Sequence, residues 1–97
     1  MVQRMSWQGN HTSHIKNYFN ELQTLRRQVM LQEKAYNNYL VLQRGEEIRF
    51  QAGESSLFLI NARENKTLEA LQKLQELKAK YYKTENALQW SAGLLSQ

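Results

Sequence analysis

Two pairs of side chains in this sequence are of types that could carry chemistry. His11 and His14 are three residues apart, and this spacing places both imidazoles on one face of a helix, where they could share a metal ion. A zinc site needs at least a third protein ligand, and the sequence offers none nearby with matching geometry. We therefore expect incidental histidines and no metal site.

The second pair is Ser55 and Ser56, which closely follow Gly53. A nucleophilic serine of the hydrolase type needs the pattern G-x-S-x-G between a strand and a helix, with a histidine base within reach. Turn and helix-cap chemistry explains these two serines better. The chain has no cysteine, so thiolate catalysis and disulfides are excluded. We predict a protein that is not an enzyme and holds no cofactor.

The charge and the aromatic residues allow a nucleic-acid hypothesis. The net charge is +4, and tyrosines can stack on bases. The basic residues are, however, scattered among glutamates, as in Glu69 with Lys73 and Glu76 with Lys80, both at i, i+4 spacing. We therefore expect a solvated surface and no nucleic-acid partner. The five tyrosines are expected at helix interfaces: Tyr18, Tyr36, Tyr39, Tyr81 and Tyr82.

The elements that would position these residues are long helices. The 97 residues include no proline, where average usage would give about five. Residues in the first half recur at alternating spacings of three and four, which predicts a heptad-like seam interrupted by polar side chains. The predicted seam consists of Ile15, Tyr18, Leu22, Leu25, Val29, Gln32, Tyr36, Tyr39, Gln43, Glu46 and Phe50.

The second half predicts another amphipathic helix, which Gly93 would end. Its apolar face is predicted to comprise Leu68, Leu71, Leu74, Leu77, Tyr81, Leu88 and Ala92. The fold class is thus all-α, a long antiparallel, coiled-coil-like helical hairpin over residues 11–95. Residues 1–10 are expected to form a flexible leader, with helices over about 11–51 and 57–93 and a turn over about 52–56. Because two helices share only one seam, we expect self-association into a bundle.

Two glycines and the start of the second helix need closer attention. Gly53 is predicted to end the first helix with a positive φ. Ser55 or Ser56 could cap a second helix that begins at once, and we favour this start. Alternatively, Asn61 and Glu64 could form a capping box, which would leave Leu57 to Ile60 as an exposed apolar loop. Gly45 lies inside the first helix, either simply tolerated there or marking a bend or a close helix contact.

The run from Phe50 to Glu64 resembles the turn of the C-terminal helical hairpin in TolC-like outer membrane efflux proteins. Gly53, the two serines and Leu57 match the first part of that family's turn, and Asn61-Ala62 stands where the family usually has Asp-Ala, after an apolar stretch one residue shorter. The resemblance covers about residues 14–95. Its other elements are Leu68 with Ala70, Tyr81-Tyr82, and Leu88 with Ala92-Gly93.

The resemblance implies one hairpin of a trimeric duct in a Gram-negative bacterium, in the periplasm beneath an outer-membrane β-barrel. The barrel strands and a signal peptide would lie outside this chain, which would then be a fragment that forms a dimer or larger bundle by itself. The tip of the hairpin would dock the periplasmic adaptor protein of an efflux pump. The residues expected to form this tip are Arg49, Gly53, Glu54, Ser55, Ser56, Leu57, Asn61, Arg63 and Glu64.

A second hypothesis of a different class stays open at this point. The chain could be a free-standing coiled-coil module for protein interaction or nucleic-acid binding.

Overall fold

The protein is a helical hairpin without β-strands in the part that the structure describes. The computed structural model describes the backbone of residues 2–96 and the side chains of residues 15–93. Helix α1 spans Val2–Gln51 and helix α2 spans Leu57–Ser96. These elements confirm the predicted all-α hairpin, whereas its self-association stays a prediction. The hairpin comprises two compact units: Gln28–Leu77, which contains the turn, and the residues up to Arg27 together with those from Lys78 onward.

Both outer ends of the helices differ from the prediction. Helix α1 begins at Val2, so residues 2–10 are helical and do not form the expected flexible leader. A single glycine such as Gly9 costs a helix only about 1 kcal/mol, which does not by itself end it. Helix α2 continues past Gly93 to Ser96. Gly93 lies within the helix and lacks the positive φ with which a glycine commonly ends one. Among the described residues, only Gly53 has a positive φ.

The seam of α1 follows the predicted spacing almost throughout. Every predicted position from Ile15 to Glu46 is buried or half-buried, and Leu25 and Glu46 are the most buried of them. Phe50 is the exception, with 39% of its surface exposed. It lies in the last turn of α1, where the chain opposite is the turn and not a second helix.

The seam of α2 is only partly the predicted leucine face. Leu74 is buried, and Leu71, Leu77, Tyr81 and Leu88 are half-buried, as expected. Leu68 is 62% exposed and Ala92 is exposed, so both assignments were wrong. The buried residues of α2 lie three, four, seven or ten residues apart, as on one face of a helix, and are mostly small: Ile60, Thr67, Ala70, Leu74, Thr84 and Ser91.

The small residues of α2 have a physical explanation in unit Gln28–Leu77. Helix α1 places the large side chains of Tyr36 and Tyr39 in the seam, and the residues of α2 level with them are the small Ala70 and Thr67. Two hydrogen bonds follow from this close approach. The Gln32 amide nitrogen donates to the carbonyl oxygen of Ala70 at 3.0 Å, and the Thr67 hydroxyl shares its proton between the carbonyl oxygens of Arg63, in its own helix at 3.0 Å, and of Tyr39 at 3.3 Å. The seam therefore pairs large polar residues with small ones.

Two leucines in α2 allow a matched test of this seam. Leu74→Ala should lower the free energy of unfolding by about 2–4 kcal/mol, since it removes buried methyl groups and leaves a cavity. Leu68→Ala makes the same chemical change at an exposed site and should cost less than about 0.5 kcal/mol. Urea unfolding followed by circular dichroism at low micromolar concentration measures both values. Equal losses would contradict the assignment of the seam.

Candidate functional site: the tip of the hairpin

Helix α1 ends in a complete C-terminal capping motif. Gly53 has a φ of 78°, as predicted, in the left-handed region that residues with a Cβ rarely adopt. Its N–H donates to the Phe50 carbonyl oxygen at 3.0 Å, and the N–H of Glu54 donates to that of Arg49 at 2.8 Å. These two bonds are the Schellman pattern, which satisfies carbonyl groups left free at the end of a helix.

Helix α2 begins immediately after the turn, with Ser56 as its N-cap. The Ser56 carbonyl oxygen accepts the N–H of Ile60 at 3.1 Å, and its hydroxyl oxygen accepts the N–H of Leu59 at 3.3 Å. The favoured serine start is therefore confirmed. Asn61 lies inside α2 and is exposed, so the alternative capping box does not start the helix. Only residues 52–56 separate the two helices.

A buried carboxylate joins the turn to both helices. Glu46 is only 5% exposed, and its oxygens accept hydrogen bonds from the Ser55 hydroxyl at 2.7 Å and from Nε of Arg63 at 3.4 Å. Arg49 places a guanidinium nitrogen 4.0 Å from the same carboxylate. A buried charge is costly unless it is paired and hydrogen-bonded, and here three partners serve one residue. We call these four residues the Glu46 cluster.

The partners of Glu46 stabilise its charged form. The hydrogen bond from Ser55 is the main reason that the pKa of the Glu46 carboxyl lies below its usual value, and Arg63 and Arg49 act in the same direction. Desolvation opposes them but does not prevail. The carboxylate is therefore ionised at neutral pH and keeps its three contacts there.

The predicted tip residues fall into two groups in the structure. Ser55 and Ser56 use their hydroxyls within the hairpin, as donor to Glu46 and as helix cap. Arg49 and Arg63 pair with Glu46, although their side chains remain 60% and 42% exposed. The residues open to solvent are Glu54, Leu57 and Asn61, whereas Glu64 is half-buried.

Sequence reasoning missed two residues at the tip. Glu46 was recognised only as a polar seam residue, although a charge in a seam demands partners and Arg49 follows it at i, i+3. Phe58 was not assigned to the tip. It is 79% exposed, more than any other large hydrophobic residue whose side chain is described, and it lies in the first turn of α2.

Gly45 makes no close helix contact in the hairpin. Helix α1 continues through it, and a Cβ built at this position would meet no atom within 4 Å. The alternative that Gly45 marks a close contact between the two helices is therefore wrong for the hairpin itself.

Comparisons of the chain with protein-family models, curated proteins and solved structures found no match. The resemblance to TolC-like proteins consequently stays a prediction. In the described part of the chain, no helix is long and apolar enough to cross a membrane. The same residues contain no group of three or more potential metal ligands. His11 and His14 lie outside the residues whose side chains are described.

Acid should weaken the hairpin partly through Glu46. Because the folded pKa of Glu46 is lowered, its contribution to stability is present above the unfolded pKa of about 4.3 and is lost as the pH falls through the folded value. Thermal unfolding between about pH 6 and 3 should therefore depend less on pH in Glu46→Gln than in wild type. Glu76→Gln, at an exposed position, is the control and should keep the wild-type dependence. Parallel curves for all three proteins would refute the role of Glu46.

The two glycines of the Gln28–Leu77 unit should respond oppositely to alanine. Gly53→Ala forces a left-handed conformation on a residue with a Cβ and should destabilise the hairpin by about 1–2 kcal/mol. Gly45→Ala adds a methyl group in open space on a helix and should stabilise by up to about 1 kcal/mol. Urea unfolding distinguishes the two signs. A neutral Gly53→Ala would mean that the capping motif is not formed in solution.

Proposed function

We propose that the chain is a non-catalytic part of an outer membrane efflux duct, a hairpin whose tip docks the periplasmic adaptor protein of a pump. The observation that carries the proposal is a tightly capped turn with exposed apolar side chains beside it. Because residues 50–64 resemble the TolC-like turn, we assign the periplasmic adaptor protein as the partner of this docking surface. Assembly of copies into a trimer in the periplasm, beneath the outer membrane, belongs to the same proposal.

The order within the turn favours a docking role. The Schellman bonds, the Ser56 cap and the Glu46 cluster supply hydrogen-bond partners to the polar groups of the turn. These partners come from both helices and from the turn itself. A surface that is already ordered loses little conformational entropy when a partner binds. The tip is thus suited to a direct contact between proteins.

The chemistry of the docking surface is more apolar than the sequence suggested. Both serine hydroxyls are used within the hairpin, so Ser55 and Ser56 are better described as residues that position the tip. Leu57 is 63% exposed and Phe58 is 79% exposed, and exposed apolar groups of this size are typical of interface centres. We therefore assign the contact with the adaptor to Leu57 and Phe58, with Glu54 beside them.

Replacing the exposed phenyl ring by a charge tests this assignment. In the native host, Phe58→Glu should impair efflux, seen as increased accumulation of ethidium, while the amount of assembled protein stays normal. Burying a carboxylate in an apolar contact is costly, whereas the folded hairpin leaves this side chain in water. Phe19→Glu makes the same change at a half-exposed residue of α1 in the other unit and should have a smaller effect on efflux. Normal efflux by Phe58→Glu at normal abundance would remove the docking assignment.

A further inference from the structure

Helix α2 carries an exposed stripe without any charge. In unit Gln28–Leu77 its members recur at spacings of three and four, and every one is exposed: Asn61, Asn65, Leu68, Gln72 and Gln75. The pattern continues in the sequence of the other unit with the exposed residues Ala79, Tyr82, Asn86, Gln89 and Gly93. Charged residues form 23% of the chain, and solvent-facing helix surfaces normally carry most of them. The absence of charge from these exposed positions therefore calls for an explanation.

The spacing of this uncharged stripe is that of a helix seam. Alternating steps of three and four residues keep one face of a helix against another helix. The hairpin's own seam has the same mixed character, since amide side chains such as Gln32 and Gln43 stand among its apolar ones. The uncharged stripe thus has the composition of a second seam, on the side of α2 that faces away from α1.

The residues that border the stripe indicate the charge of its partner. In unit Gln28–Leu77 they include Glu64 on one side and Glu69 and Glu76 on the other. Glu69 lies 3.7 Å from Lys66, and both side chains are well exposed. A second copy of α2 laid on this stripe would bring glutamates together. An uncharged helix face with basic residues suits the stripe better.

The outer face of α1 in the same unit has that character. Its exposed apolar residues are Met30, Leu31, Val41 and Ile48. Lys34 lies at the centre of this face and Arg44 at one edge, the edge at which Glu33 is also exposed, whereas Glu46 is buried and Glu47 is half-buried. Gly45, with open space around it, lies between Val41 and Ile48.

We propose that the outer face of α1 in one copy packs on the uncharged stripe of α2 in the next copy. This inference deepens the assembly step of the proposed function and rests on it. The occupant of the stripe is therefore a second copy of this chain, chosen by complementary charge.

The register of the hairpin supports this pairing. The hydrogen bond between Thr67 and Tyr39 shows that these residues lie level with each other. If two copies stand side by side with their tips level, the same counting places Asn61 level with Gly45 and Asn65 level with Val41. The open surface at Gly45 leaves room for the Asn61 side chain to approach α1 of the next copy.

The charges also match in this register. Lys34 of one copy comes level with Gln72 of the next, between Glu69 and Glu76. Arg44 comes within two residues of the level of Glu64, a distance of roughly 3 Å along a helix. Both basic residues of the outer face thus meet acidic residues that border the stripe.

The contact joins two different faces, so each copy can make it twice. Such heterologous contacts close into rings or continue as open chains. The stripe in this unit is roughly 20 Å long, so a single contact is smaller than the standard interface of about 800 Å² per partner. We expect weak, concentration-dependent association of the isolated chain.

Charge reversal on the two faces tests the proposal with the purified chain. Sedimentation equilibrium at low salt should show association that weakens about three- to tenfold in K34E and in the double variant E69K/E76K. Combining all three substitutions should restore it, because opposite charges again face each other. R26E makes a matched charge change at an exposed residue of α1 in the other unit and should associate like wild type. Circular dichroism should show equal helicity for all variants.

Two results would overturn the proposal. One is association that neither charge reversal changes, which would place the contact on other faces. The other is a wild-type chain that stays monomeric up to high micromolar concentration, which would leave the stripe to a different partner. Either result is separable from failure of the proposed function, since efflux by Phe58→Glu is measured in cells on a residue that no charge variant alters.

Discussion

The hairpin depends on the neutralisation of one buried carboxylate. Glu46 occupies a seam position where an aliphatic side chain would need no partner, and it is nevertheless 5% exposed. Its hydrogen-bond donors come from the turn and from α2, at Ser55 and Arg63. Sliding α2 by one heptad along α1 would remove both donors and leave a charge buried alone, which is far more costly than a lost apolar contact. The Glu46 cluster thus determines the register of the helices and the shape of the turn together.

The other buried polar residues of the seam also have hydrogen-bond partners, and burying them costs less free energy because they carry no charge. The seam's buried residues include as many polar ones as apolar ones, with Thr67, Thr84 and Ser91 in addition to Glu46. No buried side-chain nitrogen or oxygen in the described part of the chain lacks a hydrogen-bond partner. A seam of this kind contributes little hydrophobic free energy, but the bonds from Gln32 to Ala70 and from Ser55 and Arg63 to Glu46 form in only one register. Specificity is therefore obtained from hydrogen bonds more than from apolar area.

The sequence predicted those features that depend on local chemistry. The alternating spacing of α1, the positive φ of Gly53 and a serine cap each follow from neighbouring residues alone. The seam of α2 could not be predicted in the same way, because its small residues are chosen by the large side chains of α1 opposite them. Leu68 was predicted to lie in the seam by its type and is exposed, whereas Ala70 was not assigned to the seam and is buried. The Glu46 cluster was missed for the same reason, since Arg63 approaches only once the register is known.

The hairpin exposes more large apolar side chains than its own seam buries. Four hydrophobic residues of the described part are buried, whereas thirteen large ones are exposed. Scattered exposed hydrophobics are normal, but here Leu68 lies on a stripe without charge, and Val41 and Ile48 share the outer face of α1. A polar seam with apolar outer faces is the reverse of what stabilises an isolated pair of helices. It is the arrangement expected when the fold of one chain is completed by its neighbours.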